Sequence, residues 1–184
     1  ENSMQNIVSK TIDYIHDVNI NGTGLSSGFE SLDALTSGFR QGSLNVIAGR
    51  PSMGKSTLAL NIANHLSSTK NVLFFSLEMS QVQLMLKIVS SETFLPMHKI
   101  ERNQLSDNEE GIFYKALSQA GDKSMTIVDK GGLSVKDISS MARKMNTDRK
   151  LDVILIDYLQ IMRYDKGREI SELGNITREL KYLS

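Results

Sequence analysis

Gly49, Gly54, Lys55 and Ser56 stand at the spacing G-x-x-x-x-G-K-[ST], inside the stretch Gly49-Arg50-Pro51-Ser52-Met53-Gly54-Lys55-Ser56-Thr57. Each of these residue types meets a demand of phosphate chemistry. Glycine lets consecutive backbone N–H groups turn toward anionic oxygens with no Cβ in the way. A helix starting where the loop ends adds unpaired N-terminal donors and the positive end of its dipole. Lys55 then offers a point charge to the β- and γ-phosphates of a nucleotide, and the Ser56 hydroxyl a ligand to Mg²⁺. ATP and Mg²⁺ are the expected ligands of residues 49–57. A plain strand-to-helix turn is also glycine-rich, but it has no use for Lys and Ser after four spacer residues.

Two carboxylates stand where such chemistry needs them. Asp157 follows four apolar residues, Val153, Ile154, Leu155 and Ile156, and so falls at the end of an apolar strand. Nucleotide-binding α/β sheets hold their ligands at the carboxyl ends of strands. A carboxylate there can share the Mg²⁺ shell with Ser56, although a strand-end Asp can also cap the following turn. Glu78, in Ser76-Leu77-Glu78-Met79, lies just past another strand. It can orient the water that attacks a γ-phosphate, or it can simply sit well against the dipole of the helix that follows. Both readings stand on the residues alone.

Basic residues give a weaker signal. Arg163, Lys166 and Arg168 lie in one polar loop together with Asp165 and Glu169, and Tyr164 is its only aromatic. A single-stranded nucleic acid groove combines positive charge with flat side chains, a demand this loop meets only in part, so Arg163, Lys166 and Arg168 are candidates for DNA contact only if the chain is part of a DNA motor. Lys130, Lys136, Arg143, Lys144, Arg149 and Lys150 form a second basic stretch, which a solvated helix face explains equally well.

These residues need elements to aim them. Residues 44–48, with Leu44, Val46 and Ile47, predict a buried strand directly before the loop, and Leu58, Ala59, Ile62, Ala63 and Leu66 recur at helical spacing after it. Residues 71–76, 125–129 and 153–157 predict three more strands. Ser80 with Gln83 and Ser106 with Glu109 form capping boxes. The first opens a helix that turns Leu84, Met85, Ile88 and Val89 inward, and the second a helix presenting Ile112, Phe113, Ala116 and Leu117. Ser134 caps a helix carrying Val135, Ile138, Met141, Ala142 and Met145. Residues 29–42 hold Leu32, Leu35 and Phe39 at near-helical spacing, with Gly38 and Gly42 marking where that helix ends, and residues 94–105 are expected to be irregular around Pro96. Strands apolar throughout and alternating with helices imply an α/β fold of three layers, a mostly parallel sheet with helices on both faces and right-handed crossovers.

At the N-terminus, Ser3 caps an amphipathic helix with Met4, Ile7, Val8, Ile12 and Ile15 on one stripe. A Gly-rich connector follows, so that stripe needs a surface on its own domain or on a second copy. The last helix, with Leu173, Ile176, Leu180 and Leu183, is still running at Ser184, and the chain is expected to be incomplete there. The 184 residues are 40% hydrophobic and 23% charged, which suits one globular domain with a good core. Formal net charge is zero, so a nucleic-acid site must be local. Without cysteine, and with three scattered histidines, neither a disulfide framework nor a zinc pattern is expected. No apolar run suits a membrane span and no signal peptide is recognisable, which makes the cytoplasm the simplest address.

Together the motifs resemble the RecA-like ATPase domain of the DnaB-type replicative DNA helicases. Gly28-Phe29, Leu32-Asp33, Gly38 and Gly42 are similar to the lead-in of the wider RecA, RadA and KaiC superfamily. Arg50-Pro51-Ser52-Met53-Gly54-Lys55, Ser76-Leu77-Glu78-Met79 and Ile156-Asp157-Tyr158-Leu159-Gln160 are the narrower, DnaB-like signatures. The resemblance implies a RecA-like P-loop NTPase core in residues 25–184, incomplete at its C-terminus, after a linker helix and connector in residues 1–24. It further implies that Glu78 activates water, that Lys55 is the other catalytic residue, and that the first helix docks on the adjacent subunit of a homo-hexameric ring. The activity implied is ATP-dependent unwinding of duplex DNA by translocation on single-stranded DNA, with a primase and a helicase loader as partners, in the cytoplasm at replication forks. Ser56 departs from the threonine of many members but keeps the hydroxyl. The family's primase-contacting N-terminal domain, its γ-phosphate-sensing Gln and its arginine finger have no counterpart in these residues, so turnover by this stretch alone is expected to be poor. An ATPase of RecA, RadA or KaiC type, acting in recombination or ATP-gated assembly, and a small-molecule kinase using the same loop are the rival expectations.

Overall fold

The computed structural model describes residues 3–21, 24–157 and 169–181. Its elements run α1 (Met4–Asn21), α2 (Glu30–Thr36), α3 (Lys55–Leu66), β1 (Val72–Ser76), α4 (Gln81–Thr93), α5 (Met97–Glu101), α6 (Asp107–Gly121), β2 (Met125–Val128), α7 (Val135–Asp148), β3 (Val153–Asp157) and α8 (Glu169–Lys181). The strands form a parallel sheet in the order β2-β1-β3, with Val72 opposite both Met125 and Val153 and Ser76 opposite Asp157.

Every residue of β1 is buried, as its unbroken apolar run requires. Because side chains alternate across a strand, β1 feeds two cores. Leu73 and Phe75 pack with Ile138 and Ala142 of α7 and Ile176 and Leu180 of α8. Val72 and Phe74 pack on the other face with Ile62, Ala63 and Leu66 of α3 and Leu84 and Ile88 of α4. The result is the expected three-layer α/β arrangement. Phe74 and Phe75 are wholly buried, and truncating either to Ala is expected to cost about 3–5 kcal/mol.

Helix starts follow the capping chemistry. Ser80–Gln83 and Ser106–Glu109 both close as capping boxes, and Ser134 forms a third with Asp137. Lead-in residues are tied down as well. Leu25 bridges Phe39 in antiparallel fashion, and a Cβ on Gly24 would lie 2.6 Å from the Phe39 carbonyl carbon. Hydrogen bonds from Ser26 and Ser27 to Asp33 hold that carboxyl below its ordinary range.

Several expectations need correction. Residues 44–48 take no part in the sheet; Leu44, Val46 and Ile47 are 36%, 64% and 41% exposed. Apolar, β-branched composition reports a tendency to be buried but not which neighbour will supply the ladder, and the three described strands pair only with one another. The helix expected to end at Gly38 or Gly42 stops with α2, just before Gly38, and Phe39 lies outside it, bridged to Leu25. Residues 97–101 are helical where an irregular stretch was expected: Pro96 stands at the N-cap, and its carbonyl accepts from the N–H groups of Lys99 and Ile100. On α6 the expected Ala116 is buried and Phe113 and Leu117 are half-buried, but Ile112 is exposed and Ala120 is buried in addition. The apolar stripe of α1, for which the sequence left open a surface on its own domain or on a second copy, is uncovered on this chain, with Met4, Ile7, Val8, Ile12 and Ile15 each at least 47% exposed. Among the described residues, no helix is long and apolar enough to cross a membrane.

Candidate functional site

The loop of residues 49–54 runs into α3 through Gly54, which occupies the N-cap position at φ 83° and ψ 20° with no side-chain cap hydrogen bond. A Cβ there would meet nothing within 4 Å, so the glycine answers the left-handed backbone and not crowding. Ser52 is left-handed too, at φ 61°, a conformation costing on the order of 1–3 kcal/mol and characteristic of ligand-binding loops. The first-turn N–H groups of α3 have no intrahelical acceptors, and with no capping side chain they face outward beside a loop that is exposed throughout. A helix N-terminus in that state attracts anions.

Lys55 is half-buried and folds back over the loop, its Nζ donating to the Arg50 carbonyl at 3.0 Å. The Met53 N–H donates to the same oxygen at 3.4 Å and closes the turn. Pro51, Met53 and Thr57 are exposed.

Ser56, one residue further into α3, donates its hydroxyl to Asp157 Oδ1 at 3.1 Å. Asp157 is 6% exposed at the C-terminal end of β3. Neighbouring corners of an octahedral Mg²⁺ shell with bonds of ~2.0–2.1 Å lie ~2.9 Å apart, so the two oxygens are spaced as ligands of one ion. Among the described residues no group of three or more His, Asp or Glu side chains converges. Mg²⁺ does not require one, since it commonly keeps waters and takes one or two protein ligands plus phosphate oxygens. The residues present therefore fit a phosphate-bound Mg²⁺ ion.

Glu78 is exposed in the turn between β1 and α4, and its side chain has no hydrogen-bond or ion-pair partner among the described residues. The turn itself is pinned. Leu77 donates its N–H to the carbonyl of Asp157 at 2.8 Å, so the segment carrying one acid is bonded to the backbone of the other. Two residues for which the sequence suggested no role also hold it. Ser76, fully buried, donates its hydroxyl to the Met79 carbonyl at 2.6 Å and accepts from the Met79 N–H at 3.1 Å. Asp129, just past β2, accepts from the Gln81 N–H at 2.9 Å and from Gln81 Nε2 at 3.1 Å. Strand-end position marks Asp129 as it marks Asp157, so the rule that found one could have found the other. No sequence pattern marks Ser76 apart from its place in the Ser-Leu-Glu-Met run.

The structure thus brings Ser56 and Asp157 together at the start of α3 and ties the turn of Glu78 to the same strand end. Arg163, Lys166 and Arg168 lie outside the described residues.

Comparison with known proteins bears on the family and the fold. Residues 24–184 match a family model described as DnaB-like helicase C terminal domain. The chain is 37% identical over 165 residues to "Replicative DNA helicase DnaB" of Nostoc sp. (strain PCC 7120), covering 88% of this chain and 19% of that protein. It is 33% identical over 178 residues to the protein of the same name from Geobacillus stearothermophilus, covering 94% and 39%. It therefore spans about a fifth to two fifths of the length of these curated relatives. Among solved structures it is similar to one described as an ATPase domain, with a TM-score of 0.90 and 28% identity over all of this chain and 67% of that one. It is also similar to "The Structure Of A DnaB-Like Replicative Helicase And Its Interactions With Primase", with a TM-score of 0.86, 28% identity and 45% of that chain covered.

Proposed function

The chain belongs to the DnaB-like helicase C-terminal domain family, and we propose that it is part of an ATP-driven, ring-shaped motor that translocates on single-stranded DNA and unwinds the duplex at the replication fork. The observation that carries this reading is the 3.1 Å pairing of the Ser56 hydroxyl with Asp157 at the open N-terminus of α3. Replicative helicase relatives supply the biological context.

In this reading residues 49–57 hold the triphosphate of ATP. The N–H groups from Gly54 onward receive phosphate oxygens, and Lys55 exchanges the Arg50 carbonyl for the β- and γ-phosphates. Ser56 and Asp157 hold Mg²⁺, which when bound neutralises charge developing on the phosphate oxygens. Glu78 orients the attacking water and accepts its proton. Loss of the γ-phosphate changes the contacts between neighbouring subunits, and loops facing the ring's centre move with them.

Residues 25–184 form the ATPase domain, and residues 1–24 a linker whose apolar stripe docks on the next subunit of a homo-hexamer. The exposure of that stripe on its own chain supports this assignment. Arg163, Lys166 and Arg168 are the proposed contacts to the DNA backbone. A helicase loader and a primase are the proposed partners, the latter supported by the description of a structural neighbour with its primase interactions. The working place is the cytoplasm, at the fork.

The test is steady-state ATP turnover by the intact protein with and without single-stranded DNA at low salt. The motor reading predicts faster turnover with DNA. An unchanged rate, with rings that form on ATP and ignore oligonucleotides, would point to an assembly ATPase of KaiC type instead.

A further inference from the structure

Glu78 presents a problem of aim. A catalytic group must be held within about 0.5 Å and 10–20° of its working geometry, yet the Glu78 side chain is exposed and has no partner among the described residues to direct it. Its direction must come from the backbone beneath it.

That backbone is fixed from both sides. Before and after Glu78, the buried Ser76 hydroxyl bonds both the N–H and the carbonyl of Met79, closing a loop with Leu77 and Glu78 at its crest. Beyond it, Asp129 grips Gln81 through main chain and side chain at once. Asp129 meets the first-turn N–H of Gln81 that the capping box of Ser80 and Gln83 leaves open, and it holds the Gln81 side chain as well, which helix initiation alone does not require. What the grip adds is a tie between the start of α4 and the end of β2, fixing the Glu78 turn against the sheet. Ser76 lies directly opposite Asp157 in the β1–β3 register, so the tie is short and its reference point is the proposed Mg²⁺ ligand.

We propose that Ser76 and Asp129 are positioning residues for Glu78, setting the distance between its carboxylate and the phosphate cradle without touching nucleotide themselves. The proposal rests on the reading of Glu78 as the water-activating group, and the test separates the two.

In the intact protein, Ser76→Ala and Asp129→Ala are each expected to lower ATP turnover at saturating nucleotide by roughly tenfold or more, since displacements near 1 Å can cost a hundredfold. Affinity for a fluorescent ATP analogue with Mg²⁺ should stay within about twofold, because the loss is confined to the transition state. Asp129→Asn keeps an oxygen for the Gln81 N–H and should recover much of the rate. Added to Glu78→Gln, neither alanine change should slow turnover further, as residues acting through one group are non-additive. Loss of turnover in Glu78→Gln with normal rates in both alanine variants would overturn the positioning roles and leave Glu78 standing. Normal turnover in Glu78→Gln would remove Glu78 and this proposal together. A loss of nucleotide affinity parallel to the loss of rate would assign Ser76 and Asp129 to general structure and overturn the proposal. Should Ser76→Ala fail to fold, the exposed Asp129 decides the question alone.

Discussion

Ser56 and Asp157 stand 101 positions apart in the chain and meet at 3.1 Å. At the scale of single residues this contact was legible in advance, because each residue belongs to a local pattern with its own chemical logic: a hydroxyl after Gly-Lys, and an acid at the end of an apolar strand. No role was read for Ser76 or Asp129, since their work depends on the register that sets β1 against β3 and on the approach of α4 to β2. The division of labour proposed for Lys55 and Glu78 makes opposite predictions for two substitutions. Lys55→Ala is expected to abolish nucleotide binding, measured by titration with a fluorescent ATP analogue. Glu78→Gln is expected to bind the analogue as before while turnover falls by a factor of about a hundred or more. Undiminished turnover in Glu78→Gln would refute the water-activating role.

At the scale of elements, the capping boxes of α4 and α6 were readable because they are local and pair a short polar residue with a longer one three positions on. The third box, on α7, uses Asp137 in place of Glu or Gln, so only its Ser134 half was recognised. The strand expected at residues 44–48 failed for the opposite reason, since a strand exists only through a partner. The α6 box also carries a pH signature. Hydrogen bonds to Glu109 from Lys99 at 2.8 Å, and from the N–H and hydroxyl of Ser106 at 2.9 and 3.0 Å, bring its carboxyl down from an ordinary 4.5 to about 2. Because the folded value is depressed, the stabilisation is complete above about pH 4.5 and fades as pH falls toward 2. Lys99→Met should therefore be less heat-stable than the parent chain at about pH 7, with the gap in Tm closing near pH 2.5. A gap independent of pH would contradict the link between α5 and α6.

At the scale of the whole molecule, two cores on either face of β1 place the site at the strand ends, and the alternation of apolar runs with helical stripes made that layering legible from the sequence. The amphipathic α1 was equally legible as an element, but its destination was not, since a stripe of apolar residues does not specify whose surface covers it. Its exposure here predicts that deleting residues 1–20 from the intact protein shifts gel-filtration and light-scattering profiles from rings toward monomers. An unaltered profile would mean that α1 packs on its own subunit. The central claim concerns the cradle at α3, and the most direct measurement is a crystal structure of the intact protein with a non-hydrolysable ATP analogue and Mg²⁺. The account predicts the triphosphate against the N–H groups of residues 54–57, the ion between the Ser56 hydroxyl and Asp157, and the Glu78 carboxylate facing the γ-phosphate. A cradle without nucleotide, or Asp157 and Glu78 both turned away from a bound triphosphate, would contradict it.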